Sequence, residues 1–180
     1  MTLLEKISNV AVIIAALCIG GTAVYSRIGT PSVSAGSDFG SRYKGKPIPV
    51  GGYRSGVPSV LIFASRTCHF CSASLPFYRR LATMRDSAPG TMRIVSAFPA
   101  SAQSVEETRK YFGDGGVLLD DALPARFPFI GVTGTPTVVL VDRGGNVSGV
   151  WTGKLSVGGE AGLMREVKFL CPDCKDPGAS

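Results

Sequence analysis

The chain has one histidine and one tryptophan, and no run of Lys or Arg longer than two residues. A zinc site needs four ligands, commonly two Cys pairs or Cys with His, and a single histidine leaves little to build one from. The missing basic block argues against a nucleic-acid surface. The formal net charge of +6 reads instead as a solvated basic surface spread along the sequence. No internal repeat is visible. Charge is also absent from Ile7 to Ser26, a segment bracketed by Lys6 and Arg27. What remains is 180 residues with the apolar content of a globular protein, enough for one domain of ordinary size plus appendages.

The uncharged segment is apolar through Val10, Val12, Ile13, Ile14, Leu17 and Ile19. Twenty helical residues rise about 30 Å, the thickness of the bilayer hydrocarbon. We read residues 1–27 as an uncleaved N-terminal membrane anchor. The alternative is a cleaved signal peptide, which requires a small-x-small site, and Thr22 to Ser26 offers only a poor one. Lys6 and the amino terminus then stay cytoplasmic and the rest is exported, although Glu5 and Arg27 weaken that bias. Cys18 reads as a small lipid-facing or packing residue within the segment. Residues 28–46, rich in Gly, Ser and Thr at their start, read as a flexible linker. A folded domain over 47–170 and a tail over 171–180 complete the organisation.

The domain is organised around Ser59 to Tyr78. Val60 to Ala64 is a continuous apolar run, the pattern of a strand covered on both faces. A short turn follows, then a helix opening on Cys68-His69-Phe70-Cys71. Two intervening residues let both thiols sit on the first helical turn. Unpaired backbone N–H groups and the helix dipole there favour negative charge on Cys68. Such placement lowers a thiol pKa from about 8.5 into the range of roughly 3.5–7.5. The thiolate is the nucleophile of disulfide exchange, so Cys68 is the candidate attacking group and Cys71 the resolving one. A protonated His69 would further stabilise the thiolate; the plainer reading is an exposed turn residue. Phe70 offers an apolar surface for partner proteins, or only covers the helix end. Pro76, five residues past Cys71, removes a hydrogen bond and bends the helix.

Around this centre, Met92 to Phe98 reads as a second strand. Ser104 and Glu107 form a capping-box signature for a helix running to Phe112 and ending at Gly113. An edge strand is expected around Ile48 to Val50. Val117 to Phe129 is irregular, with a short helix near Leu123 to Phe127. Thr137–Val141 and Val147–Trp151 are strands joined by a turn over Asp142 to Asn146. Gly159 to Leu170 reads as a final helix. The fold class is α/β, a mixed central sheet flanked by helices.

The Cys-x-x-Cys with Pro76 resembles the active-site helix of the thioredoxin superfamily. Val132 to Val138 is similar to that family's cis-proline loop. Leu140 to Val147 and Trp151-Thr152-Gly153 resemble its membrane-anchored TlpA/ResA branch. The resemblance implies a thioredoxin-like fold behind a transmembrane helix and a redox-active Cys68–Cys71 disulfide. It implies a cis Thr135–Pro136 bond packed against the cysteines and presenting backbone groups to an extended substrate. It also implies exported cysteine-bearing targets, apocytochrome c among them, and a membrane electron donor or acceptor. The catalytic domain would lie in the periplasm or extracytoplasmic space of a bacterial inner membrane, with no cofactor and no metal. Three departures stand out: Thr67 where thioredoxins have Trp, Ile62 where they bury an Asp, and Ser74 where the ResA type has Glu. A carboxylate helps deprotonate the resolving thiol. Its absence predicts slower reduction, water-mediated proton transfer or a different preferred direction.

Cys171-Pro172-Asp173-Cys174 follows the last helix instead of opening one. There the dipole disfavours a thiolate and Asp173 adds like charge. A disulfide in an oxidising compartment is expected. It serves as a terminal staple or as a second redox pair relaying electrons, with adventitious metal binding as the remaining reading. Two other functions share the fold. A thiol peroxidase would use Ser65 ahead of Cys68 but lacks its proline, since position 61 is Leu61. A non-enzymatic copper or assembly chaperone would space its cysteines by three residues and carry a distal His.

Overall fold

The computed structural model describes residues 42–50, 52–54, 56–125, 132 and 134–177. The expected anchor over Ile7 to Ser26 and most of the linker lie outside the described residues. Among the described residues no helix is long and apolar enough to cross a membrane.

Five strands form one sheet: β1 (Ser59–Phe63), β2 (Arg93–Pro99), β3 (Asp121–Ala125), β4 (Thr137–Val141) and β5 (Val147–Thr152). The order across the sheet is β3-β2-β1-β4-β5. β1 pairs parallel with β2 and antiparallel with β4, which makes it central. Every residue of β1 is buried. Side chains alternate across a strand, so Val60 and Ile62 enter one core cluster while Leu61 and Phe63 enter another. β4 divides likewise, with Val138 and Leu140 on the first face and Val139 and Val141 on the second. Burying each such side chain contributes about 1.5–3 kcal/mol.

Among the described residues, helices α1 (His69–Ala73), α2 (Leu75–Asp86), α3 (Val105–Asp114) and α4 (Val157–Leu170) lie after β1, β2 and β5. Their core residues, including Tyr78, Leu81, Phe112, Leu163 and Val167, all join the first cluster. No residue of these four helices belongs to the second, which is covered by Ile48, Val50, Tyr43 and Tyr53.

Several expectations are corrected. The helix carrying the cysteines is two helices, broken at Ser74, because Pro76 at the start of α2 has no N–H to continue the ladder. Ile48 to Val50 is not a strand; Pro47 makes only an isolated bridge to Asn146. Residues 121–125 form the edge strand β3 in place of a short helix near Leu123. The exposed Pro124 misleads at the sequence level, yet at a sheet edge its missing N–H breaks no ladder bond. α3 runs past Gly113 to Asp114, and its capping box at Ser104 and Glu107 is present. α4 begins at Val157, two residues before Gly159, because Ser156 caps it by accepting the Gly159 N–H. β2 is offset by one residue at each end.

The boundary drawn at Pro47 cuts through packed chain. Gly45 N–H donates to the Val147 carbonyl at 2.8 Å and Val147 N–H to the Lys46 carbonyl at 2.9 Å. The β4–β5 turn falls where expected, with Gly145 at φ 83° and the Asp142 carboxylate accepting the Asn146 N–H at 2.8 Å.

Candidate active site

The chain leaves the sheet at Phe63, opposite Thr137 in the β1–β4 register. That pairing brings the segment just before β4 beside the turn just after β1, although the two lie far apart in sequence. The turn closes with Cys68 N–H donating to the Ser65 carbonyl at 3.1 Å. Cys68 is the N-cap of α1, one position before its first turn, where the sequence reading had placed both thiols on that turn. Its sulfur takes the capping role usual for a Ser or Asp oxygen, accepting the Cys71 N–H at 3.2 Å.

Across the site, the Cys68 thiol donates to the Thr135 carbonyl at 3.3 Å. The Thr135–Pro136 bond is cis, as the resemblance implied. The Pro136 carbonyl accepts the Gly153 N–H at 2.7 Å, and the Thr137 hydroxyl donates to the Gly134 carbonyl at 2.9 Å, so the loop is tied on both sides.

The two sulfurs differ in exposure and in acidity. Cys68 is half-buried and Cys71 fully buried. Desolvation pushes the Cys68 thiol up, but donors outweigh it: the Cys71 thiol, the Thr135 hydroxyl and the backbone N–H groups of Cys71 and Phe70 hold its pKa below the ordinary value. For Cys71, burial pushes the thiol up to about 12, and its hydrogen bond to Cys68 acts in the same direction. One proton therefore stays on Cys71 while Cys68 ionises. No carboxylate is among the groups that shift either thiol. Ile62, where the resemblance to thioredoxins sets a buried Asp, is itself fully buried.

Ser74, at the Glu position of the ResA type, does backbone work. Its hydroxyl donates at 2.8 Å to the Phe70 carbonyl, which the helix break orphans. Tyr78 is buried behind it. Burial first, then the charge of Cys71, raises the phenol pKa, while a hydrogen bond to Ser74 opposes.

His69 is exposed and meets Phe70 edge-on, with ring centroids 5.8 Å apart. It is not among the groups that lower the Cys68 pKa. Phe70 is 58% exposed. The second pair, Cys171–Cys174, is a disulfide with both residues buried in the first core cluster. The Thr91 hydroxyl lies 3.1 Å from the Cys171 sulfur. The Lys168 ammonium donates to the carbonyls of Pro172 and Cys174, each at 2.6 Å. Among the described residues no group of three or more His, Cys, Asp or Glu is gathered as a metal site.

Sequence reasoning passed over Gln103, Tyr78 and Tyr111, all of which bear on the cysteine turn. Only Gln103 left a signal, a polar residue immediately before a capping box, and nothing local says what it touches.

No protein-family model and no curated protein matches this sequence. Solved structures do. One is a protein named as the thiol:disulfide interchange protein DsbE from Chlorobium tepidum, with a TM-score of 0.51 and 18% identity over 64% of this chain and 81% of that one. Another is a thiol-disulfide isomerase from Corynebacterium glutamicum, with a TM-score of 0.50 and 16% identity over 71% and 92% of the two chains. A third is a DsbF homologue from Corynebacterium diphtheriae, with a TM-score of 0.50 and 14% identity over 64% and 73%. At these identities the likeness is one of fold: a mixed α/β, thioredoxin-like domain.

Proposed function

We propose that this chain is a thiol–disulfide oxidoreductase acting on cysteine-bearing proteins, with Cys68 as nucleophile and Cys71 as resolving thiol. The observation that carries the reading is the pair of opposed environments: an N-capping, half-exposed sulfur with a lowered pKa beside a buried sulfur raised to about 12. In reduction, the Cys68 thiolate attacks a target disulfide. A Cys68–target bond forms and the other target sulfur leaves as thiolate. Cys71 then gives up its proton to a departing sulfur or to water and attacks the Cys68 sulfur. The second target thiolate leaves, and two electrons have passed from the Cys68–Cys71 dithiol to the target. Oxidation of a target dithiol is the same sequence reversed.

Thr135 and Pro136 supply a fixed backbone edge beside Cys68, and Phe70 supplies exposed apolar surface. Both fit an extended polypeptide substrate. His69 has a minor part in this reading. The finer assignment is an exported protein of the TlpA/ResA kind, anchored in a bacterial inner membrane by Ile7 to Ser26 with its domain in the periplasm or extracytoplasmic space. Its support is the uncharged apolar segment and a buried disulfide suited to an oxidising compartment. Its targets would be exported cysteine proteins such as apocytochrome c, with a membrane partner supplying or accepting electrons.

The test is exchange with insulin and with a dithiol peptide. Wild-type protein turns over in at least one direction, and Cys68→Ser in neither. Activity retained by Cys68→Ser overturns the reading. Membrane retention of the full chain after alkaline washing, against release of a shortened form, decides between anchor and cleaved signal.

A further inference from the structure

The turn ahead of Cys68 is held by a side chain from a distant part of the sequence. Gln103 is 8% exposed and lies just before the N-cap of α3. Its Oε1 accepts the Arg66 N–H at 3.1 Å, and its Nε2 donates to the Thr108 hydroxyl. That hydroxyl already donates to the Ser104 carbonyl at 2.8 Å. It can therefore only accept from Gln103, which fixes the amide with its oxygen toward Arg66. Four residues on, the Glu107 carboxylate lies 3.3 Å from the Arg66 guanidinium, an exposed and hence weak pair. Four further on, the Tyr111 hydroxyl lies 3.2 Å from the Ser72 hydroxyl. Glu107 and Tyr111 lie along one stripe of α3, and Gln103, just ahead of its N-cap, meets Arg66 as Glu107 does. The stripe touches the chain at Arg66, before Cys68, and at Ser72, after Cys71.

We propose that Gln103, together with the stripe of α3 that carries Glu107 and Tyr111, is the positioning element of the redox pair. It holds the Ser65–Cys68 turn so that the Cys68 sulfur meets the Cys71 N–H and the Thr135 carbonyl. Losing the Gln103 amide removes the acceptor that ties the Arg66 N–H to the start of α3. The turn then relaxes, and hydrogen bonds to sulfur weaken steeply with distance and angle. Besides Cys71, the titratable groups that feel the Cys68 charge are Tyr78 from α2 and Tyr111 from α3. The kinetic consequence rests on the oxidoreductase reading; the positioning concerns the free protein.

The experiment is the pH dependence of Cys68 alkylation in the reduced full chain, read by peptide mass spectrometry. Gln103→Leu raises the Cys68 midpoint by about half a unit or more and slows disulfide exchange several-fold. Val167→Ala, a core truncation that leaves the stripe untouched, keeps the wild-type midpoint. A folded Gln103→Leu with an unchanged midpoint, or an equal rise in Val167→Ala, overturns the proposal. Should Gln103→Leu not fold, Tyr111→Phe carries the test: a smaller rise in the same direction supports it and an unmoved midpoint overturns it. A midpoint that responds in a protein with no exchange activity defeats the oxidoreductase reading alone. Intact exchange with an unresponsive midpoint defeats the positioning alone.

Discussion

Two Cys-x-x-Cys pairs in one chain share a spacing and little else. Cys68 caps the start of a helix, where N–H groups point at its sulfur. Cys171 sits at the other kind of end: it is the C-cap of α4, and its own N–H is spent on the Val167 carbonyl. The nearby carbonyls of Pro172 and Cys174 are satisfied by Lys168, and the polar group beside the sulfurs is the Thr91 hydroxyl. The first pair is free, with one sulfur in reach of solvent; the second is joined and buried. Spacing brings two sulfurs together. Which end of a helix they occupy decides whether one of them becomes a usable thiolate.

The sharpest way to break the comparison is to delete one sulfur from each pair. Cys68→Ser loses exchange activity by orders of magnitude, since the other free thiol among the described residues, Cys71, is buried. Cys71→Ser retains attack but cannot release the target, so stable mixed disulfides accumulate on Cys68 and appear as thiol-sensitive bands on non-reducing gels. Absence of such adducts would remove Cys71 from the resolving role.

A pH series sharpens the contrast within the first pair. Cys68 alkylates at pH values below the ordinary thiol value of 9.0, whereas Cys71 stays protonated until pH approaches about 12. The stability consequences have opposite signs. The raised Cys71 pKa contributes stability that is complete below pH 9.0 and lost as pH rises through about 12. The lowered Cys68 pKa contributes stability that is complete above 9.0 and lost as pH falls through its depressed value. Thermal melts of the reduced protein should therefore show an alkaline destabilisation that Cys71→Ala lacks. Equal alkaline losses in both proteins would count against the burial account.

The tail pair gives a smaller effect, of a different kind. Closing a short loop contributes about 2 kcal/mol in the chain-entropy account. Cys171→Ala with Cys174→Ala should lower Tm by roughly 4–8 °C and leave exchange rates within about twofold. A large loss of turnover in a variant that still folds would instead restore the relay reading of Cys171 and Cys174.

What the sequence disclosed follows from how far each feature reaches. The apolar run at Val60 to Ala64, the Cys68 motif, Pro76 and the Ser104 capping box are all encoded within a few residues, and all are present. β3 was not readable because Ala122 and Pro124 have no strand propensity of their own. Pairing with β2 makes the strand, and that partner lies at residues 95–99. What Gln103 touches was unreadable for the same reason, its acceptor role depending on Arg66 37 positions away. The absent carboxylates at Ile62 and Ser74 were visible. That Ser74 instead repairs the orphaned Phe70 carbonyl needed coordinates.

The smallest expected effect bears on the one titratable side chain between the two cysteines. A protonated imidazole beside a thiolate is an attractive explanation for a reactive Cys68, and it is one of the two readings the sequence leaves open. In the structure His69 is exposed, its ring turned against Phe70, and the Cys68 sulfur takes its stabilisation from Cys71, Thr135 and backbone N–H groups. Solvent screens whatever Coulomb attraction His69 offers from there. His69→Ala should therefore move the Cys68 alkylation midpoint by no more than about 0.3 units, below the shift expected for Gln103→Leu. A larger rise, abolished by high salt, would show that the imidazolium acts through space and that the capping geometry is only part of the difference between the two cysteine pairs.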